Sequence, residues 1–118
     1  MIAFNAAPPQ GTVRDWLDQQ ASTRGDQIAY RFTDGAADLS WASLRDVAHA
    51  RAQGLTALGM TKGESLAVMM PNGRAALETL FAGLCGGFRV TMINLAAGND
   101  AITYAFKHCE ARFACVGA

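Results

Sequence analysis

The sequence has no surplus of charge of either sign. Its 118 residues include ten Lys or Arg and ten Asp or Glu, so the formal net charge is zero. Binding to nucleic acid or to an anionic membrane surface depends on a basic surplus, and both functions are therefore disfavoured. A disordered interaction tail is disfavoured as well, because 51% of the residues are apolar, which is typical of a folded domain.

Long apolar runs are also missing. The longest uninterrupted run, residues 66–70, is followed by Pro71 and is far shorter than the roughly 20 residues needed to cross a bilayer. Residues 1–10 have neither a basic start nor a long apolar stretch, so they do not resemble a secretion signal. We therefore predict a cytoplasmic protein without a transmembrane segment.

Residues that commonly bind metal ions are few. Cys85, Cys109 and Cys115 lie in apolar stretches without the Cys/His spacing of a metal site, and we interpret them as reduced thiols in the core. His49 and His108 have no partner at a useful spacing and are predicted to be exposed on helices. The sequence thus predicts no catalytic, cofactor-binding or metal-binding residue.

The N-terminal part of the sequence predicts a helix followed by a hairpin. Residues 12–21 carry apolar side chains at helical spacing, with Thr12 as the cap and Asp15 in the first turn. Residues 27–33 alternate, with Ile28, Tyr30 and Phe32 on one side, which predicts a half-buried strand. An Asp-Gly turn then leads to a second short strand at 39–41.

A long helix is predicted next. Ser40 can cap it, and its apolar stripe continues to Leu58, after which Gly59 ends the helix at a positive φ.

Strands and helices alternate in the remainder of the chain. Strands are predicted at 66–70, 88–93 and 112–116, and the helices between them begin at Asn72 and at Asn99 or Asp100 as caps. This β-α-β-α-β order implies parallel strands joined by right-handed crossovers. We predict one α/β domain over residues 1–118, with the helix and hairpin at 11–41 and the parallel unit at 42–118.

Four segments in unbroken order resemble the adenylate-forming (AMP-binding) family, which includes acyl-CoA synthetases, luciferases and peptide-synthetase adenylation domains. Residues 39–44, LSWASL, resemble the first core motif, and residues 58–72, LGMTKGESLAVMMPN, resemble the Leu-Gly and Pro-Asn segment. Residues 83–94, GLCGGFRVTMIN, are similar to the second core motif. Residues 102–116, which contain CEAR, are similar to the helix and strand that follow it.

The resemblance implies the flavodoxin-like N-terminal subdomain of an acyl-CoA synthetase. The complete enzyme would use ATP and Mg²⁺ to convert a carboxylic acid to acyl-AMP and would then transfer the acyl group to coenzyme A. The family's Ser/Thr/Gly-rich loop ending in Pro-Lys-Gly, its aromatic-x-x-Thr-Glu motif, its ribose-binding Asp and its late Lys are not found in this sequence. We therefore expect a scaffold that is inactive alone, with no cofactor of its own and with the remainder of the synthetase as its partner.

Two residues depart from the family's usual pattern. Met92 stands where the family usually has Pro, and Arg89 stands where it usually has an apolar residue. Arg89 can lie at a sheet edge, pair with Glu110 or face a part of the enzyme outside this chain. Met69, Met70 and Met92 are interpreted as core residues rather than an acyl-binding surface. Three further polar features are given no functional role. Asn72 is interpreted as a helix cap, Lys62 as a solvated side chain, and the Arg-Gly-Asp triplet at 24–26 as a loop.

Two other classes of function were weighed. One is a stand-alone, non-catalytic interaction or regulatory module built on the same scaffold. The other is an unrelated flavodoxin-like phosphoacceptor or flavin carrier. A phosphoacceptor is disfavoured because it needs clustered acids at the carboxyl ends of the strands, where this sequence has Met-Pro-Asn at 70–72 and Ile-Asn at 93–94. We also expect the isolated chain to self-associate through apolar surface that the rest of the enzyme would cover.

Overall fold

The computed structural model describes residues 10–117. In chain order its elements are α1 (Val13–Arg24), β1 (Ile28–Tyr30), β2 (Leu39–Ser40), α2 (Trp41–Ala57), β3 (Ser65–Met69), α3 (Arg74–Cys85), β4 (Arg89–Met92), a 3₁₀ helix (Leu95–Ala97), α4 (Asn99–His108) and β5 (Phe113–Val116). The predicted order of helices and strands is confirmed, and the 3₁₀ turn is the one short helix that the sequence analysis missed in this part of the chain.

The strands form two sheets. β1 and β2 pair antiparallel as a hairpin, and β3 lies between β4 and β5 with both pairings parallel. Ala67 at the centre of β3 is opposite Thr91 on one side and Ala114 on the other. Because β4 and β5 lie on opposite sides of β3, right-handed crossovers place α3 and α4 on opposite faces of the sheet. The predicted α/β fold with a parallel β-α-β-α-β unit is confirmed.

Two of the predicted helix starts are confirmed in detail. The Thr12 side chain accepts a hydrogen bond from the backbone N–H of Asp15, and the Asp15 carboxylate accepts one from the N–H of Thr12. This reciprocal pair is a capping box. Ser40 accepts from the N–H of Ser43 at 3.1 Å and caps α2.

The first strand is shorter than predicted. The strand covers three residues rather than the predicted seven, and its pairing register shifts between Ile28 and Tyr30. Ile28 is 45% exposed, whereas Ala29, Tyr30 and Phe32 pack against the core. The prediction that Ile28 shares the buried side of the strand is wrong, because the irregular pairing breaks the strict alternation on which it depended.

The end of α2 is only partly as predicted. Gly59 follows the helix with a φ of +106°, as expected for a glycine at this position. Leu58 was assigned to the apolar stripe, but it is 71% exposed, and the buried stripe consists of Leu44, Ala48 and Ala52. This assignment is wrong because Leu58 is the C-terminal cap of α2, beyond the helical residues that face α3.

The predicted caps of α3 and α4 are wrong. Gly73 and Gly98 precede these helices with φ values of +156° and +88°, and neither helix start has a side-chain cap. Asn72 therefore lies one residue before the cap position, while Asn99 and Asp100 are already inside α4. A glycine is favoured at such backbone angles because it carries no Cβ.

Helices α1, α2 and α3 pack against one another, and α3 contacts β3 and β4 of the parallel sheet. Their shared core contains Leu17, Leu39, Leu44 and Phe81, with Trp41 packed against it. A second cluster includes Met60, Leu66, Val68 and Phe88, and Leu55 of α2 packs against it. The close approach of α3 to the sheet depends on Gly83, where an added Cβ would lie 2.3 Å from Cγ2 of Val90.

Candidate functional site

The carboxyl ends of the three parallel strands meet at one edge of the sheet, where ligands of open α/β folds usually bind. A cleft of about 500 Å³ lies at this edge. Its lining comes from the loop after β3, the start of α3, the end of β5, the hairpin loop and α2; these residues include Asp34, Arg51, Pro71, Asn72, Arg74 and Gly117.

The two arginines of this cleft are already engaged by a carboxylate. Glu78, whose side chain is only 9% exposed, lies 3.2 Å from Nε of Arg74 and 3.7 Å from Nη2 of Arg51. Arg51 also donates to Oγ1 of Thr79 at 3.0 Å, and Arg74 donates to the carbonyl of Ala37 at 3.1 Å. The network therefore ties the hairpin loop, α2 and α3 together, and its acid partly neutralises the cations that a phosphate would need.

The buried Glu78 network was not predicted from the sequence. The spacing of Arg74 and Glu78, four residues apart on one helix, was the available signal for part of it. Arg51 lies in a different helix, so its approach to Glu78 depends on the tertiary packing of α2 against α3.

The two histidines do not match the prediction equally well. His49 is not a freely exposed residue, because its Nε2 lies 2.9 Å from Oδ1 of Asp18, and both atoms are buried between α2 and α1. The prediction that His49 has no partner is wrong, since Asp18 approaches it from another helix. His108 is exposed as predicted, and its ring stacks on Tyr104 with the centroids 5.1 Å apart.

The three cysteines are free thiols. Cys85 is buried in the helical core, and burial raises its pKa to about 11, so the protonated, weakly nucleophilic form prevails at neutral pH. Cys115 is half-buried, and burial raises the pKa of its thiol as well. Cys109 is also only half-buried, so the description as core thiols is confirmed for Cys85 and too strong for the other two.

Arg89 lies on an edge strand, which was one of the three alternatives left open. Its Nε donates to the carbonyl of Gly63 at 2.9 Å. The alternative of a pair with Glu110 is wrong within the described residues, where Glu110 occupies a turn with a φ of +59°. The acid that is paired in this region is Glu64, and its partner is Arg112.

The predictions for the methionines and for the loop residues are confirmed only in part. Met69 and Met70 are half-buried, but Met92 is 47% exposed, so its assignment to the core is wrong. Lys62 is exposed as predicted. Arg24 is the last residue of α1 rather than part of a loop, and its guanidinium lies 5.2 Å from the ring centroid of Trp41.

Within residues 10–117, no three His, Cys, Asp or Glu side chains are grouped closely enough to hold a metal ion. The described donor set therefore does not fit the Mg²⁺ that the resemblance implies for the complete enzyme. None of the helices in this range has both the length and the apolar character that a membrane span requires.

These features define a class of protein. A parallel sheet is covered by helices and preceded by a hairpin, and the described residues contain no group of His, Cys, Asp or Glu side chains that could hold a metal ion. Such a unit is an α/β domain. The model of the AMP-binding enzyme family matches residues 17–117, and the chain belongs to this family.

Solved structures of adenylate-forming enzymes have the same fold. The N-terminal domain of FACL13 from Mycobacterium tuberculosis matches 91% of this chain with a TM-score of 0.84 and 22% identity. The N-terminal subdomain of NpsA from Klebsiella oxytoca matches 89% with a TM-score of 0.81 and 18% identity. The anthranilate CoA ligase AuaEII, in complex with anthranoyl-AMP, matches 93% with a TM-score of 0.82 and 19% identity.

The chain spans only a minor part of each of these structures. It covers 27% of the FACL13 domain, 27% of the NpsA subdomain and 21% of AuaEII. No curated protein matches the sequence significantly. At these identities the likeness shows a shared fold, the N-terminal subdomain of an adenylate-forming enzyme.

Proposed function

We propose that this chain is the N-terminal scaffold of an AMP-forming acid–thiol ligase, an acyl-CoA synthetase. The complete enzyme would join a carboxylic acid to ATP with release of pyrophosphate, and would then transfer the acyl group from acyl-AMP to the thiol of coenzyme A. The observation that carries the proposal is the family match over residues 17–117. The chain has the fold of the FACL13 N-terminal domain but covers only 27% of its length.

The chemistry itself is assigned to parts of the enzyme outside this sequence. Acyl-adenylate formation requires groups that hold the ATP phosphates, position Mg²⁺ and stabilise charge on the transferred phosphorus. The sequence contains no glycine-rich loop with a Pro-Lys-Gly end. The arginines at the sheet edge, Arg51 and Arg74, are held by Glu78. The 118-residue chain is therefore proposed to be inactive alone.

The partner of the scaffold is proposed to be the remainder of the synthetase, in the cytoplasm. Exposed apolar side chains such as Leu58, Met92 and Val116 support this, because a complete enzyme would be expected to cover them. Self-association of the isolated chain through the same surface stays a prediction. One similar structure is described as a fatty acyl CoA synthetase, which supports fatty acid metabolism as the setting, while the acid itself stays open.

Pyrophosphate exchange tests the proposal. The purified chain is incubated with ATP, Mg²⁺, labelled pyrophosphate and a panel of aliphatic and aromatic carboxylic acids. We expect no acid-dependent exchange above that of the heat-denatured chain. Exchange by the 118 residues alone would refute the scaffold role.

The gene supplies the second test. Translation beyond codon 118 is expected to yield a Ser/Thr/Gly-rich stretch ending in Pro-Lys-Gly, and the longer product is expected to catalyse the exchange. A stop codon directly after Ala118 would instead favour the stand-alone interaction module.

A further inference from the structure

A crevice lies where the first turn of α1 meets the last turns of α2 and the end of α3. Its volume is about 340 Å³, and its lining residues are Arg14, Ala52, Gln53, Thr56, Ala57 and Gly86. Asp18 of α1 contacts His49 of α2, and Arg14, one turn earlier in α1, borders the crevice together with Ala52. The two helices therefore run antiparallel, and the crevice is formed by packed helices rather than by a loop.

Small residues form most of this crevice. Ala52, Ala57 and Gly86 leave the space open because none of them extends beyond a methyl group. The hydroxyl of Thr56 donates to the carbonyl of Ala52 at 3.1 Å, so this polar group is already engaged. An apolar cavity of about 150 Å³ can hold a benzene ring, and a guanidinium such as that of Arg14 favours an aromatic neighbour. The crevice is therefore suited to one aromatic side chain.

The chain carries a suitable side chain close to this crevice in sequence. Residues 1–9, which precede the described range, read MIAFNAAPP. Ile2 and Phe4 are two positions apart, and they share one side of the segment if it is extended, because side chains alternate along an extended chain. Pro8 and Pro9 favour an extended connection between these apolar residues and α1.

The connection is long enough to reach the crevice. Residues 5–9 can span roughly 15 Å when extended. Arg14, which borders the crevice, is only two residues after the helix cap Thr12. Gly11, directly before the cap, has a φ of +86°, and this turn conformation allows the chain to change direction there.

We propose that the N-terminal segment docks on the chain's own helices, with Phe4 in the crevice between α1, α2 and the end of α3 and with Ile2 beside it. The occupant follows from the small walls of the crevice, from the apolar residues at 1–4 and from the reach of residues 5–9. The crevice is at the C-terminal end of α3, whereas the cleft at the carboxyl edge of the sheet is at its N-terminal end. The docked segment thus leaves that cleft open, and the inference is independent of the proposed function.

NMR of the 118-residue chain with ¹³C-labelled alanine methyl groups tests the docking. We expect nuclear Overhauser effects between the ring protons of Phe4 and the methyl groups of Ala52 and Ala57. Phe4→Ser should shift both methyl resonances. It should also lower the thermal midpoint by about 3–6 °C, as the loss of one partly buried aromatic side chain would.

A variant that fills the crevice separates docking from a general effect of the substitution. Ala57→Leu adds three carbons to an exposed position of α2, so the fold is retained while the space for the Phe4 ring is occupied. The contact between Phe4 and Ala52 should then be lost, and Phe4→Ser should lower the midpoint no further in this background. Ala101→Leu, at an exposed position of α4, is the matched control and should retain the contact.

Each other outcome would overturn the proposal. Absence of contacts from Phe4 to Ala52 and Ala57 would show that the segment does not dock there, as would an equal loss of stability from Phe4→Ser with and without Ala57→Leu. Contacts to Leu77 and Leu80 would place the segment in the crevice beside the hairpin. Contacts that arise only between molecules, in a mixture of labelled and unlabelled chains, would assign the crevice to a second copy.

Discussion

Arg112 and Glu64 join the start of β5 to the start of β3. Nη2 of Arg112 lies 2.5 Å from Oε1 of Glu64, although the two residues are 48 positions apart. The other carboxylate oxygen accepts a hydrogen bond from the backbone N–H of Thr61 at 3.0 Å. The backbone hydrogen bond from Thr61 is the largest cause of a lowered pKa of Glu64, and the pairing with Arg112 adds to it.

The lowered pKa of Glu64 predicts an acid-sensitive contribution to stability. Because the pKa is lower in the folded chain than its ordinary value of 4.5, the unfolded state binds the proton more readily. The contribution is complete above about pH 4.5 and is lost as the pH falls through the lower pKa of the folded chain. Thermal midpoints of Glu64→Gln measured from pH 7 to pH 2.5 are expected to decrease less steeply than those of the unmodified chain.

Asp15 supplies the control for this acid prediction. Its pKa is also lowered, chiefly by the backbone hydrogen bond from Thr12, so part of the acid dependence should persist in Glu64→Gln. Arg112→Gln should have the smaller effect on the slope, because the bond from Thr61 remains. Equal slopes for Glu64→Gln and the unmodified chain would contradict the assignment.

Gly83 is predicted to tolerate no larger residue. In Gly83→Ala the new methyl would lie 2.3 Å from Cγ2 of Val90, and a β-branched side chain in a strand has few ways to move aside. Overpacking of this kind typically costs about 1–3 kcal/mol of unfolding free energy. Urea denaturation of the variant should show this loss, and Gly83→Ala combined with Val90→Ala should recover part of it.

Gly54 is the matched control for Gly83. It also lies inside a helix, but no atom is within 4 Å of a Cβ added there. Gly54→Ala is therefore expected to raise the unfolding free energy by about 0.5–1 kcal/mol, through better helix propensity alone. If both alanine variants changed stability in the same direction, the close approach of α3 to β4 would not be the cause.

Cys85 is predicted to be the least reactive of the three thiols. It is 5% exposed, and burial raises its pKa to about 11, so both access and thiolate content are low. After brief alkylation at pH 8, mass spectrometry should find Cys109 and Cys115 modified and Cys85 intact. In urea, Cys85 should react as fast as the others. Early modification of Cys85 in the folded chain would contradict its place in the core.

The order of elements was predictable because it depends on local periodicity. The alternation of short apolar runs with helical stripes identified all three parallel strands, and Thr12 and Ser40 identified two helix starts. The failures have a local cause as well. At α3 and α4 a glycine with positive φ occupies the cap position. The neighbouring Asn72 and Asn99 were predicted as caps because asparagine is a preferred N-cap residue. The glycines at 73 and 98 were the available signal, because a positive φ is disfavoured for residues that carry a Cβ.

The polar contacts of the site could not be predicted in the same way. Asp18 meets His49, and Arg51 meets Glu78, only because α1, α2 and α3 pack side by side. Sequence spacing carries no information about such pairs. The crevice that borders Arg14 also depends on this packing, because its lining comes from α1, α2 and the end of α3.

Glu78 supplies the last prediction, because its carboxylate is the buried centre of the network at the sheet edge. Glu78→Gln keeps the size of the side chain but removes the charge that faces Arg51 and Arg74. Both arginines are partly exposed and can turn to water, so the expected loss is about 1–3 kcal/mol of unfolding free energy, below that of a fully buried broken pair.

Asp46→Asn is the matched control, since Asp46 pairs with Arg45 on the open surface, where a loss of about 0.5 kcal/mol or less is expected. Urea denaturation of the two variants should therefore differ clearly, and a loss in Glu78→Gln no larger than that in Asp46→Asn would mean that the network does not hold the hairpin loop, α2 and α3 together.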